Sequence, residues 1–251
     1  MAVRFTYYGG MCFLVERSDG YKALFDPYFN ENRHTQKKAS DFYDVDAILV
    51  SHHAFDHYGD TEEILRNGHA KVFCCADTCE CLYRNVPEVD RSRIIETLYG
   101  DTRKLDDMTV HTVRAYHHSK TDYVLDGQKV RVFGPPAGFV VEIEPGVNYY
   151  HPGDTALYSD MKMINLLYRP NVMAVGVTGI DPVPNPACEM TLRECAQAVE
   201  WIGATVVVPT HYPVGSEKPH EFKELMRLLM PEVIVKDGVD ISFVVEPMRV
   251  I

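Results

Sequence analysis

No stretch of this 251-residue chain is apolar for the roughly 20 residues that a membrane helix requires; its purely aliphatic runs are of the size of Ile48-Leu49-Val50 and Val206-Val207-Val208. A bilayer-spanning helix is excluded on that ground. An excess of positive charge is also missing. Lys and Arg number 25 against 36 Asp and Glu, a net charge of −11, so the overall field repels polyanions and a nucleic-acid polymer is not an expected partner. The opening residues Met-Ala-Val-Arg-Phe-Thr-Tyr-Tyr lack the apolar region and cleavage site of a secretory signal and read as a strand, which makes a cytoplasmic location the expectation. The seven cysteines lack the regular spacing of a disulfide scaffold, and Cys74, Cys75, Cys79 and Cys81 contain no C-x-x-C pair. They read as reduced core thiols. A serine nucleophile elbow G-x-S-x-G does not occur, and Tyr8-Gly9-Gly10 lies between two strand patterns instead of opening a phosphate-binding helix.

What remains is an ordinary globular mixture, 46% hydrophobic and 24% charged, in a chain long enough to bury a sizeable core. Strand patterns fill residues 3–8, 12–16, 22–26 and 46–51, the first three as an antiparallel meander. Asp60-Thr61-Glu62-Glu63 resembles a capping box, and Gly68 ends the short helix it would open. A strand over 70–75 and a short helix over 78–84 follow. Strands return at 108–115, 138–144 and 147–150, and residues 119–137, with Gly134-Pro135-Pro136, read as a long functional loop. The last third alternates strand 172–177, a helix opened by Thr191-Leu192-Arg193-Glu194, strand 205–209, helix 219–230, and strands 233–236 and 241–246. Leu192, Cys195, Ala196 and Val199 share one helical face, as do Phe222, Leu225, Met226 and Leu229, so each helix packs on a sheet. Strand-rich followed by helix occurs once in each half without a linker between. The expectation is one domain over 1–251, with two sheet layers and helices on the outer faces.

Four of these strands end on a potential metal ligand. Ser51-His52-His53-Ala54-Phe55-Asp56-His57 follows the buried-strand signal 47–50; His118 follows the strand ending at Ala115; Asp154 follows 147–150; His211 follows 205–209. Imidazole and carboxylate together suit zinc, manganese or iron, and a close run of both can hold two cations when further ligands arrive from elsewhere. The recurrence at four separate strand ends is the argument, since a single histidine is usually just packed or solvated.

At these residues the chain resembles the metallo-β-lactamase superfamily, and within it the small cytoplasmic hydrolases similar to the ascorbate-6-phosphate lactonase group. The matching segments are TYYGGMCFLVE, DAILVSHHAFDHYGD, AYHHSK, YYHPGDTALYSDM and VVVPTHYP, which span nearly the whole chain. The resemblance implies an α/β fold, a four-layer αββα sandwich with a dinuclear site at one edge. Carried over by position, His52 and His118 would hold the first metal and Asp56, His57 and His211 the second, with Asp154 bridging. The family motif H-x-H-x-D-H is broken here, because Ala54 stands at its second histidine. The first metal is thus one ligand short. His53 and His117 are the candidate substitutes, although adjacent residues at a strand end point in different directions, which turns His53 away. His151 reads as a supporting or packing residue.

The chemistry expected is hydrolysis by water activated on one or two divalent ions, Zn or Mn, with Asp56 as the catalytic carboxylate that holds and deprotonates the water. The substrate expected is a small soluble anionic ester, either a phosphodiester or a sugar-phosphate lactone; Lys120, Tyr123, Lys129 and Arg131 of the middle segment are candidate contacts, although Lys and Arg in a loop are usually just solvated. No other cofactor and no membrane partner are expected, and a homo-oligomer is compatible with the sequence. A metal-binding or structural protein of the same fold is the alternative that Ala54 motivates. A redox diiron protein would require a flavoprotein partner or domain, for which these residues show no segment.

Overall fold

The architecture is taken from a computed structural model, which describes residues 2–125, 127–179 and 189–247. The meander β1 (Val3–Tyr7), β2 (Phe13–Glu16), β3 (Lys22–Phe25) is antiparallel, and β4 (Ala47–Val50), β5 (Lys71–Cys75) and β6 (Ile94–Thr97) extend the same sheet in parallel. The second half repeats the plan. Strands β7 (Thr102–Leu105) and β8 (Met108–Arg114) begin a second sheet, and β9 (Ser119–Leu125) with β10 (Gln128–Gly134) form a separate two-stranded ribbon. Strands β11 (Ala137–Glu144) and β12 (Val147–His151) continue the second sheet antiparallel, and β13 (Val172–Gly176), β14 (Val206–Thr210) and β15 (Ile234–Val235) complete it in parallel. Strand β16 (Ile241–Val245) returns to the first sheet beside β1.

The two sheets meet through aromatic side chains. Phe5 and Phe25 lie 5.3 and 5.1 Å from Tyr149 across the interface, and Phe73 lies 5.8 Å from Phe139. The other face of the first sheet presents Leu24, Ile48 and Val72 to Leu65 and Leu82, which belong to α1 (Thr61–Asn67) and α2 (Ala76–Asn85). Strands buried on both faces explain why β3 to β5 read as nearly continuous apolar runs. On the second sheet, α4 (Leu192–Ile202) packs on β13 and α5 (Lys218–Leu229) on β14, while α3 (Met161–Tyr168) packs on α4. Val199, Phe222 and Met226 carry the apolar stripes into the common core. The result is the expected four-layer αββα sandwich.

Local chemistry accounts for the ends of these elements and for two corrections. The Thr191 hydroxyl accepts from the Glu194 amide and the Glu194 carboxylate accepts from the Thr191 amide, so α4 opens with the capping box that its sequence signals. Asp60 makes no such cap: its Oδ2 accepts from the Phe29 and Asn30 amides at 2.6 and 3.1 Å, and tertiary pairing wins over the local motif. Residues 119–137 are not a long loop. Ser119–Leu125 and Gln128–Gly134 pair antiparallel in full register from Gln128 with Leu125 to Gly134 with Ser119. On this ribbon Lys120 and Lys129 are exposed, and Arg131 is exposed and forms a two-pronged ion pair with Asp122 at 2.6 and 2.8 Å. The side chain of Tyr123 lies outside the described residues.

Candidate metal centre

The segment leaving β4 bends at once. The Ala54 carbonyl accepts from the amides of His57 and Tyr58 at 3.1 and 2.8 Å, a helical turn that leaves Phe55 73% exposed while His57 is fully buried. His57 Nδ1 donates to Asp26 Oδ2 at 2.8 Å. The same oxygen accepts from Ser51 Oγ at 2.7 Å and from His151 Nε2 at 2.8 Å, and Asp26 Oδ1 accepts from the Ser51 amide at 2.7 Å. Asp26 is wholly buried, and burial alone raises its pKa; the His151 and His57 imidazoles outweigh that and hold the carboxyl below the usual carboxylate range. An ionised carboxylate only accepts hydrogen bonds, so the ring proton of neutral His57 must sit on Nδ1. Its Nε2 then offers a lone pair into the site.

That lone pair faces oxygen. His57 Nε2 is buried without a hydrogen-bond partner, 3.3 Å from Asp154 Oδ2 and 3.9 Å from Asp56 Oδ1. His211 Nε2 lies 3.2 Å from Asp56 Oδ2 and 3.4 Å from Asp154 Oδ2. Acceptors packed this closely require a positive charge among them, either protons on the rings or a cation. The carboxylates shift both rings in the direction that supplies it. Against its burial, His211 is lifted to about 9 by Asp154 and by the hydrogen bond with Asp56, and His57 is raised by Asp154, Asp26 and Asp56. Burial would raise Asp154, but His211 and His57 keep it well below the usual range, and for Asp56 too His57 and His211 outweigh the rise from burial. Three overlapping donor sets occur among the described residues, each with its ligand atoms within 4.8 Å of one another: His52, His57 and Asp154; Asp56, His57 and His211; Asp154, Glu189 and His211. The donor set fits a hard or borderline divalent cation.

Backbone geometry fixes these groups. Asp26 and His211 hold φ of 43° and 56°, a left-handed conformation that non-glycine residues avoid, and each is tied by its amide, to Leu49 O and to Gly10 O, both at 2.9 Å. Gly153, just before Asp154, has φ 60°, and a Cβ there would stand 2.7 Å from the Ser51 Cβ. Glycine lets the aspartate loop close onto the β4 end. Thr178 Oγ1 hydrogen-bonds the His211 carbonyl and lies 3.2 Å from its Nδ1, with Glu189 Oε1 3.6 Å from the same nitrogen.

Of the residues expected from sequence, His52, Asp56, His57, Asp154 and His211 converge here. The His52 ring lies 4.1 Å from that of His57, and burial, then the charge on His57, pushes its pKa down to about 3, which keeps it neutral and able to ligate. His118 does not converge: it is exposed and stacks at 4.5 Å on His117. His117 occupies the inward position, its side chain 8% exposed, its Nε2 3.8 Å from Asp154 Oδ2 and its ring 5.3 Å from His52. His53 is turned away, edge-on to Tyr58 at 4.3 Å and 3.9 Å from the Cys81 sulfur. His151 supports Asp26 and bonds the Tyr149 hydroxyl at 3.0 Å instead of facing the cluster. Sequence reading missed Asp26, whose signal was an acidic residue closing an apolar strand, and Glu189, which carries no local pattern.

The Beta-lactamase superfamily domain matches residues 21–212, which contain all of these groups. The chain belongs to the beta-lactamase superfamily. A UPF0173 metal-dependent hydrolase of Pyrococcus horikoshii is 34% identical over 243 residues, covering 96% of this chain and 99% of its own. One from Rubrobacter xylanophilus is 31% identical over 245 residues, covering 95% and 96%. Among solved structures, Igni18, a metallo hydrolase of Ignicoccus hospitalis, superposes with a TM-score of 0.78 at 26% identity over 98% of this chain and 99% of its own. These full-length relationships make the chain a metal-dependent hydrolase of this superfamily, with the fold seen above. Among the described residues no helix is long and apolar enough to cross a membrane.

Proposed function

We propose that this protein hydrolyses a small ester, either a lactone or a phosphodiester, at a centre formed by Asp56, His57, Asp154 and His211, with His52 and His117 completing an adjacent cation position. The observation that carries this reading is the buried Nε2 of His57 3.3 Å from Asp154, locked there by Asp26 on the other side of the ring. Imidazole and carboxylate donors without a thiolate suit Zn or Mn. Such an ion, when bound, lowers the pKa of water towards neutrality and polarises the oxygen of the bond attacked. Asp56, 22% exposed at the rim, orients the attacking water and accepts its proton, while Asp154 and the histidines beneath it stay fixed.

Chelation tests the proposal. Removing the metal abolishes turnover of lactone and phosphodiester panels, and stoichiometric Zn or Mn restores it. Full activity after exhaustive chelation contradicts the proposal; a metal-loaded chain inert across both panels favours a binding protein of the same fold, the reading that Ala54 motivates.

A further inference from the structure

A cleft of about 670 Å3 opens directly on the metal centre, with Asp56 and His211 among its lining residues. One stretch of its wall is apolar, while Asn32, His34 and Thr178 line it elsewhere. Tyr28 and Phe55 meet edge to face with centroids 6.0 Å apart, and the run Tyr212, Pro213, Val214 lines another stretch. Phe55 is 73% and Val214 61% exposed, so both present large apolar surface to solvent beside a polar centre. This arrangement is costly unless something covers it. His34 supports this wall: its Nε2 hydrogen-bonds with the Tyr212 carbonyl at 2.9 Å, and its ring stands edge-on to Tyr212 at 5.5 Å.

Charge narrows the ligand further. Among the described residues Arg33 is the one Lys or Arg that lines the cleft, and Glu31 stands among the same lining residues. Lys120, Lys129 and Arg131, expected to meet an anionic substrate, sit on the β9–β10 ribbon and do not line it.

We propose that the substrate carries an aryl or similarly apolar group next to the bond that is broken, seated against Phe55 and Val214, with at most one further negative charge, which faces Arg33. This rests on the hydrolytic reading above: water adds to the lactone carbonyl and the carbon–oxygen bond breaks to give a carboxylate, a hydroxyl group and a proton, or water adds to the phosphodiester and a phosphorus–oxygen bond breaks to give a phosphomonoester, a hydroxyl compound and a proton.

Binding separates the two ideas. Phenylphosphonate and methylphosphonate share a headgroup and differ by one ring, and calorimetry on the Zn- or Mn-loaded protein gives both affinities. Covering a phenyl ring against the wall should favour phenylphosphonate by about tenfold or more. Phe55→Ala should narrow that ratio to about threefold or less, and Arg33→Met should weaken both ligands by similar factors. Equal wild-type affinities overturn the proposal, as does a phenyl preference that survives both Phe55→Ala and Val214→Ser. A preserved phosphonate ratio together with no hydrolysis across aryl-bearing lactone and phosphodiester panels supports the aryl seat and overturns the hydrolytic reading instead.

Discussion

Asp26→Asn perturbs the site without replacing a proposed ligand. Asp26 Oδ2 accepts three donors and Oδ1 one, all between 2.7 and 2.8 Å and all out of water. Asparagine has the same shape but brings two donor hydrogens. Its best orientation places the amide oxygen at the three-donor position and its NH2 against the Ser51 amide. One backbone donor is then buried without an acceptor, at about 1–3 kcal/mol, and the bonds from His57 and His151 lose their charge assistance, at about 1 kcal/mol each. The expected loss is about 3–5 kcal/mol of unfolding free energy, a large part of the 5–15 kcal/mol typical of a folded protein. His57 also loses the partner that holds its proton on Nδ1, so metal affinity should fall about 10–100-fold. Denaturant titration of the chelated protein measures the first quantity and competition with a chromophoric chelator the second. An unchanged unfolding midpoint with metal affinity within about twofold of wild type would refute the argument that Asp26 sets the His57 tautomer.

Three further substitutions test the placement of side chains around the centre. His117→Ala should weaken metal binding about tenfold or more, while His118→Ala, on an exposed ring, should leave it near wild type; metal titration of the two variants reverses the assignment if His118 proves the damaging one. His53→Ala should cost stability by leaving a hole beside Tyr58 and Cys81 yet retain metal, whereas His52→Ala should lose it, and equal metal losses would mean that the loop places both rings on the centre. Cys79→Ser should keep full metal content, because the 3.4 Å contact between the Cys74 and Cys79 sulfurs lies in the core under α2; the buried hydroxyl should lower stability by about 1–3 kcal/mol, read from thermal unfolding.

Much of the architecture was legible because its strands are buried on one or both faces and its last two helices keep one apolar stripe. The elements that escaped lack those signals. Strand β7 reads Thr-Arg-Lys-Leu and buries only its final residue at a sheet edge. Helix α3 exposes Met163, Leu166 and Leu167, so its apolar residues mark no single face. The β9–β10 ribbon is a sheet apart from the other two, and the Gly134-Pro135-Pro136 that ends it imitates a loop. At the site, the ligand-bearing strand ends were visible because each follows an apolar run. The choice between His117 and His118 turns on the alternation of Ala115, His117 and Ser119 inward against Tyr116, His118 and Lys120 outward, a period-two signal present in the sequence once Ser119 is known to be buried. Asp26 and Glu189 reach the centre only through tertiary packing, which no local pattern records.

The central claim is that Asp56, His57, Asp154 and His211 together hold a divalent cation. Elemental analysis of metal per chain, made on wild type, Asp154→Ala and His211→Ala purified under identical conditions, tests it most directly. The account predicts one to two equivalents of metal in the wild type and a loss of about 90% or more in both variants, since each deletes a ligand common to two of the three donor sets. Wild-type metal content in either variant, with the fold intact by circular dichroism, would contradict it.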